Sequence, residues 1–158
     1  MARIIYGVAG QGFGHAARSH ETLMHLKRKK HTVMVLGYKQ SADMLSKDFP
    51  VLVIPGLGLN YQNNKLSYWR TIYDNATTLI KSTTKWPSLR RKLKAFNADL
   101  VITDFEPVSA TFAHLEQLPL ISIDNQHQLT NTSITVPKKF RASFATIKLV
   151  TKSMVWGA

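Results

Sequence analysis

What most limits the fold of this chain is the spacing of its apolar runs. Arg3-Ile4-Ile5-Tyr6-Gly7-Val8, Thr32-Val33-Met34-Val35-Leu36, Val51-Leu52-Val53-Ile54, Leu100-Val101-Ile102-Thr103 and Leu120-Ile121-Ser122-Ile123 are short and continuous rather than alternating. Such strands are buried on both faces, as in a parallel sheet. Between them lie segments with helical spacing. Ala16 to Lys30 sets Leu23 and Leu26 on one side, with Arg18 and Glu21 elsewhere, and closes on Lys27-Arg28-Lys29-Lys30. Positive charge there complements a helix C-terminus. Further helices are expected at Ser41 to Ser46, from Leu66 to Phe96, from Val108 to Gln117, and from Lys138 to about Val155. Pro87 is expected to split the long basic segment into two helices. Gly56 to Lys65 reads as a loop, and Asp124 to Thr135 as a polar connection. The order predicts an α/β chain: a Rossmann-like, doubly wound parallel sheet with helices on both faces.

The 158 residues are about one domain's worth, and 44% of them are hydrophobic, enough for a core. There is no cysteine, which excludes a disulfide framework and thiolate metal sites and fits a cytoplasmic protein. Lys and Arg number 21 against 9 acidic residues, a net charge of +12, so a polyanionic neighbour is expected. Nucleic acid, an anionic membrane face and a phosphate-bearing substrate all satisfy that charge. Ile4 to Ala9 is too short for a signal peptide, and no run approaches the roughly 20 apolar residues of a spanning helix. Membrane contact would therefore be peripheral.

The chemistry concentrates in Gly7-Val8-Ala9-Gly10-Gln11-Gly12-Phe13-Gly14-His15, between the first strand and first helix. Glycines there let backbone N–H groups approach a ligand, and the helix N-terminus behind them favours an anion. Gly10, Gly12 and Gly14 are thus candidates to hold a phosphate or a polar acceptor group; a purely structural turn is the competing reading. The dinucleotide fingerprint fails, because the third glycine position counted from Gly10 is His15, and Gly37-Tyr38-Lys39 lacks the ribose-binding acid. No Gly-Lys-Ser/Thr follows Gly12 to make a Walker loop. His15 is the candidate for proton transfer, because it enters the helix beside the ligand face of the sheet. His20, His25, His31 and His114 read as surface or helix residues without a chemical role.

The segment Gly10-Gln11-Gly12-Phe13-Gly14-His15-Ala16-Ala17-Arg18-Ser19 resembles the opening loop of GT-B glycosyltransferases. It is most similar to bacterial and archaeal transferases related to families 1 and 28. Ile102-Thr103-Asp104-Phe105-Glu106-Pro107 and Ser122-Ile123-Asp124-Asn125-Gln126-His127-Gln128 carry the same resemblance after the fourth and fifth strands. It implies the N-terminal, acceptor-side half of a two-domain enzyme whose C-terminal half binds a nucleotide-sugar. Many inverting members use a histidine matching His15 as general base and an aspartate matching Asp104 to hold the imidazole. For Asp104 a helix N-cap is the alternative. Glu106, Asn125, Gln126 and His127 would line the acceptor cleft. No metal or cofactor is implied in this half, only the nucleotide-sugar donor of the whole enzyme. Such an enzyme should run for roughly another 200 residues. The expectation is therefore a truncated domain, inactive alone, awaiting its C-terminal partner.

Two basic clusters stand apart from that loop. Lys81, Lys85, Arg90, Arg91, Lys92 and Lys94 accompany Trp69, Tyr73 and Trp86; Lys138, Lys139, Arg141, Lys148 and Lys152 alternate with Phe140, Phe144, Ile147 and Val150. Such surfaces suit anionic headgroups, with a solvated helix face over ordinary core as the competing reading. The resemblance implies a sugar or lipid-linked acceptor, which some relatives meet at the inner face of the cytoplasmic membrane. The rival functions are a basic nucleic-acid-binding module, for which no helix-turn-helix, zinc-finger, RRM or KH signature is present, and a non-catalytic accessory half that recruits a catalytic subunit to the membrane.

Overall fold

The computed structural model describes residues 1–56, 58, 61–62, 65–66 and 68–154. In chain order the elements are β1 (Arg3–Val8), α1 (Phe13–Arg28), β2 (Thr32–Gly37), α2 (Lys39–Leu45), β3 (Val51–Val53), β4 (Tyr61–Gln62), β5 (Lys65–Leu66) and α3 (Tyr68–Ala95). They continue as β6 (Leu100–Asp104), α4 (Pro107–Leu115), β7 (Leu120–Ser122), α5 (Gln128–Asn131), a 3-10 turn (Lys138–Phe140) and α6 (Arg141–Met154). The main sheet has the order β3-β2-β1-β6-β7, and every pairing in it is parallel. The chain thus winds outward from β1 in one direction, then crosses back to β6 and winds in the other. The α/β, doubly wound architecture expected from the apolar runs is the one observed.

Successive residues of β1 point to opposite faces, and each face has its own core. Ile4, Tyr6 and Val8 pack with Leu23 of α1 and Leu45 of α2. Ile5 packs on the other side with Leu93 of α3 and with Phe112 and Ala113 of α4. Strands covered on both sides have no exposed face to solvate, which explains why these runs lack the alternation of a one-sided sheet.

Three segments differ from expectation. Pro87 stands inside a single helix, α3, rather than dividing two. A mid-helix proline costs about 3 kcal/mol through a lost N–H and crowding of the preceding turn. Trp86, Leu89, Leu93 and Phe96 pack on the core in the same stretch, and each buried apolar side chain returns roughly 1.5–3 kcal/mol. Burial wins. The stretch from Gly56 to Lys65 is not plain loop, since β4 and β5 form an antiparallel pair across it; Leu57, Leu59, Asn60, Asn63 and Asn64 lie outside the described residues. The last basic helix is a 3-10 turn followed by α6, and its expected end at Val155 lies outside the described residues, as do the side chains of Trp69, Lys81 and Val150. Among the described residues, no helix is long and apolar enough to cross a membrane.

Candidate active site

The winding direction reverses between β1 and β6, so the helices after the two strands, α1 and α4, pack on opposite faces of the sheet. In a doubly wound sheet this is where the ligand crevice forms. Register puts Val8 beside Asp104, and the Ala9 N–H donates to the Asp104 carbonyl at 3.0 Å, so the glycine loop leaves β1 level with the end of β6.

The glycines divide by task. Gly10 is a packing position: a Cβ there would meet the ring and the carbonyl oxygen of Tyr38 at 2.2 and 2.3 Å. Burial under that contact pushes the Tyr38 hydroxyl up to about 12. Gly12 holds φ at 84°, a value that favours glycine, and ends the loop as the N-cap of α1 without any side-chain cap. Its N–H donates to Gln40 Oε1 at 2.8 Å. Gly14 has open space where a side chain would stand. Gly12 and Gly14 therefore leave the exposed first turn of α1 uncovered, whereas Gly10 is buried away from it.

α1 begins at Phe13, so His15 lies in its first turn and Arg18 and Ser19 follow one turn later on the side facing β6. All three reach Asp104. His15 Nδ1 stands 2.7 Å from Oδ1, Arg18 Nη2 donates to Oδ1 at 2.5 Å and Nε to Oδ2 at 3.2 Å, and the Ser19 hydroxyl donates to Oδ2 at 3.0 Å. The Asp104 side chain is 0% exposed and that of His15 16%. Burying a carboxylate this deeply is costly unless it is paired and hydrogen-bonded, and among the described residues its partners are side chains of α1. The Asp104 hydrogen bond raises the Arg18 guanidinium further above its ordinary value. Arg18 balances the carboxylate and also lies 3.4 Å from His15 Nδ1, and in a neutral imidazole the shorter bond to Asp104 calls for the hydrogen on Nδ1 and the lone pair on Nε2. Phe105, held at φ 55°, lays its ring nearly parallel to the imidazole with centroids 6.4 Å apart. Thr103 locks that turn, since its hydroxyl accepts from the Glu106 N–H and donates to the Glu106 carbonyl, both at 2.9 Å.

Glu106 does not line a cleft. It is fully buried and is the N-cap of α4, accepting the N–H groups of Val108 at 2.7 Å and Ser109 at 2.6 Å. The capping role considered for Asp104 thus falls two residues later, directly before Pro107, the first residue of the helix. Burial raises the Glu106 carboxyl above the usual range, against the lowering effect of those two N–H groups.

The loop after β7 brings the remaining candidates to the same end of the sheet. Gln126 Nε2 lies 3.3 Å from His15 Nε2, so this residue meets the imidazole directly. His127 instead forms its own pair: its Nδ1 stands 2.6 Å from Asp124 Oδ2 and its N–H donates to Oδ1 at 2.9 Å, while the Ser122 hydroxyl also donates to Asp124. Burial alone would raise Asp124; the Ser122 and His127 hydrogen bonds outweigh it and hold the carboxyl below its ordinary value. Asn125 is exposed on the same loop. Sequence reasoning missed Arg18 and Ser19, although positions 15, 18 and 19 share one helix face.

A doubly wound parallel sheet reversed between β1 and β6, taken with the family and structural matches that follow, is the N-terminal half of a GT-B glycosyltransferase. The chain belongs to glycosyl transferase family 1, whose model matches residues 2–158. Among solved structures it is similar to MurG of Acinetobacter baumannii, with a TM-score of 0.56 and 15% identity over 93% of this chain and 39% of that one. It is likewise similar to the Streptomyces sp. SF2575 glycosyltransferase SsfS6, with a TM-score of 0.56 and 12% identity, covering 98% of this chain and 46% of that one. For glycosyltransferase VinC, in complex with dTDP, the TM-score is 0.55 and the identity 14%, covering 97% and 46%. The chain therefore spans less than half the length of these structures. No curated protein sequence matches it.

Glu106 gives the site a testable pH signature. Its folded-state pKa lies above the ordinary 4.5, so the folded state holds this proton more tightly than the unfolded chain. The stability contributed is fully present below that value and is lost as pH rises through the folded one. Urea unfolding of wild type and Glu106→Gln across a pH series should show the wild-type advantage shrinking as pH rises from about 4.5. An advantage that stays level or grows would contradict the assignment.

Proposed function

We propose that this chain supplies the acceptor side of sugar transfer from a nucleotide-sugar, with His15 as general base and Asp104 as the group that orients it. The observation that carries this reading is the 2.7 Å contact between His15 Nδ1 and Asp104 Oδ1. It leaves Nε2, the nitrogen on the other side of the ring, free of its own hydrogen and able to take one. An acceptor hydroxyl is a poor nucleophile until its proton is removed. As its oxygen attacks the anomeric carbon, the proton passes to Nε2, the bond to the diphosphate breaks, and that electron pair leaves with the diphosphate. General-base assistance of this kind contributes about 10²–10⁴-fold.

The donor would bind a C-terminal domain facing this end of the sheet. The uncapped first turn of α1, opened by Gly12 and Gly14, supports a role in holding a phosphate or a polar acceptor group. Helix dipoles and side chains can stabilise a departing diphosphate without a metal. A lipid-linked acceptor at an anionic membrane face is supported by the end of the chain, where Phe140 is 51%, Ile147 51% and Leu149 70% exposed. Lys138, Lys139, Arg141 and Lys152 surround them, also exposed. Exposed apolar residues set among cations fit a lipid headgroup region better than a phosphate backbone, which needs only the charge.

In the enzyme joined to its donor half, His15→Ala is expected to lower kcat by about 10²–10⁴-fold with donor affinity unchanged. Near-normal kcat would remove His15 from the role, and sugar transfer by the 158-residue chain alone would contradict the need for a donor domain. The chain is also expected to sediment with phosphatidylglycerol vesicles and not with phosphatidylcholine vesicles. Salt-sensitive binding to random duplex DNA without binding to anionic vesicles would overturn the membrane assignment.

A further inference from the structure

The nitrogen assigned to proton transfer is already occupied. With the Nδ1 hydrogen given to Asp104, His15 Nε2 is an acceptor, and the Gln126 carboxamide nitrogen lies 3.3 Å from it. An imidazole nitrogen offers a single lone pair, in the ring plane, so one donor excludes another. An acceptor hydroxyl cannot give its proton to Nε2 while Gln126 holds that position.

A built turn sets the aim of Gln126. Asp124, whose side chain is 0% exposed, takes the backbone N–H of His127 and stands within hydrogen-bond distance of its Nδ1. The N–H of Gln128 donates to the Asn125 carbonyl at 3.2 Å, and that of Leu129 to the Gln126 carbonyl at 3.0 Å. The backbone is therefore pinned on both sides of Gln126. The other end of the same carboxamide is unsatisfied, because Gln126 Oε1 is buried and has no hydrogen-bond partner among the described residues. A buried acceptor without a donor is unfavourable by about 1–3 kcal/mol. A neighbouring hydroxyl of an acceptor whose reactive hydroxyl donates to His15 supplies the separate donor that relieves it.

We propose that Gln126 is a positioning residue for the base: in the empty cleft its N–H holds the lone pair of His15, and the acceptor hydroxyl takes that place on binding. The turned-away carboxamide, both donor and acceptor, then holds the incoming hydroxyl or its neighbour against the imidazole. This rests on the reading of His15 as base and adds what guards and hands over its reactive nitrogen.

Diethyl pyrocarbonate tests the occupancy without acceptor, donor or turnover. A free imidazole lone pair attacks a carbonyl carbon of the reagent, the carbonate half leaves and breaks down to ethanol and carbon dioxide, and the ethoxycarbonyl group stays on the ring. Peptide mass spectrometry of the full chain reads each histidine separately. Exposed His25, near the far end of α1, serves as the internal reference. Gln126→Ala and Gln126→Leu should each raise the His15-to-His25 rate ratio about fivefold, as expected for loss of one net hydrogen bond. The leucine variant keeps the bulk and removes the donor. A wild-type ratio in Gln126→Leu would overturn the proposal, including the case where only alanine raises it, because plain steric cover would then suffice. Should circular dichroism show Gln126→Ala unfolded, the leucine variant decides alone. A raised ratio together with full turnover in His15→Ala would sink the base assignment and leave the Gln126 contact standing.

Discussion

The site depends on one buried carboxylate. Asp104 ends β6 with no exposed surface, and α1 supplies the side chains that satisfy it: two nitrogens of Arg18, the hydroxyl of Ser19 and the ring nitrogen of His15. Removing one partner from a buried ion pair is destabilising by about 3–5 kcal/mol, so the pairing constrains both elements. It clamps the first turn of α1 to the end of β6, and that clamp sets where the imidazole stands. The same bonds that make the buried charge tolerable thus fix the geometry of the proposed base.

Topology makes the clamp possible. β6 lies next to β1 because the chain crosses back after α3, and the register that sets Asp104 beside Val8 brings the end of β6 level with the glycine loop. β7 then adds its own loop on the far side, with Asp124 bonding to His127 as Asp104 does to His15. The 3.3 Å contact between Gln126 and His15 brings that loop against the start of α1. The side chains that meet there come from the end of β6, from α1 and from the loop after β7.

Much of the architecture was legible because continuous apolar runs leave few alternatives to a sheet covered on both faces. Less legible was anything decided by tertiary packing. Pro87 reads as a breaker, but the burial of Trp86, Leu89, Leu93 and Phe96 carries the helix through it. At the site, Gly12-Phe13-Gly14-His15 announced a ligand-facing turn, whereas the pairing of residues 15 and 104 was expected only from the resemblance to GT-B glycosyltransferases and is seen in the structure. Arg18 was placed only away from the Leu23 and Leu26 side of the helix, because a long side chain reaching back to a neighbouring strand leaves no local signature. Glu106 looked like a cleft residue, although the proline directly after it is the ordinary mark of a helix cap. The contact between Gln126 and His15 joins positions 111 residues apart, and no spacing rule connects them.

The central claim is that Asp104 holds His15 in a single tautomer with the hydrogen on Nδ1. Long-range nitrogen–proton correlation spectra of the isolated chain at neutral pH, with His15 assigned by its substitution, report that tautomer directly. The account predicts a protonated Nδ1 and a bare Nε2. A hydrogen found on Nε2 with Nδ1 bare, or an average of the two forms, would contradict it.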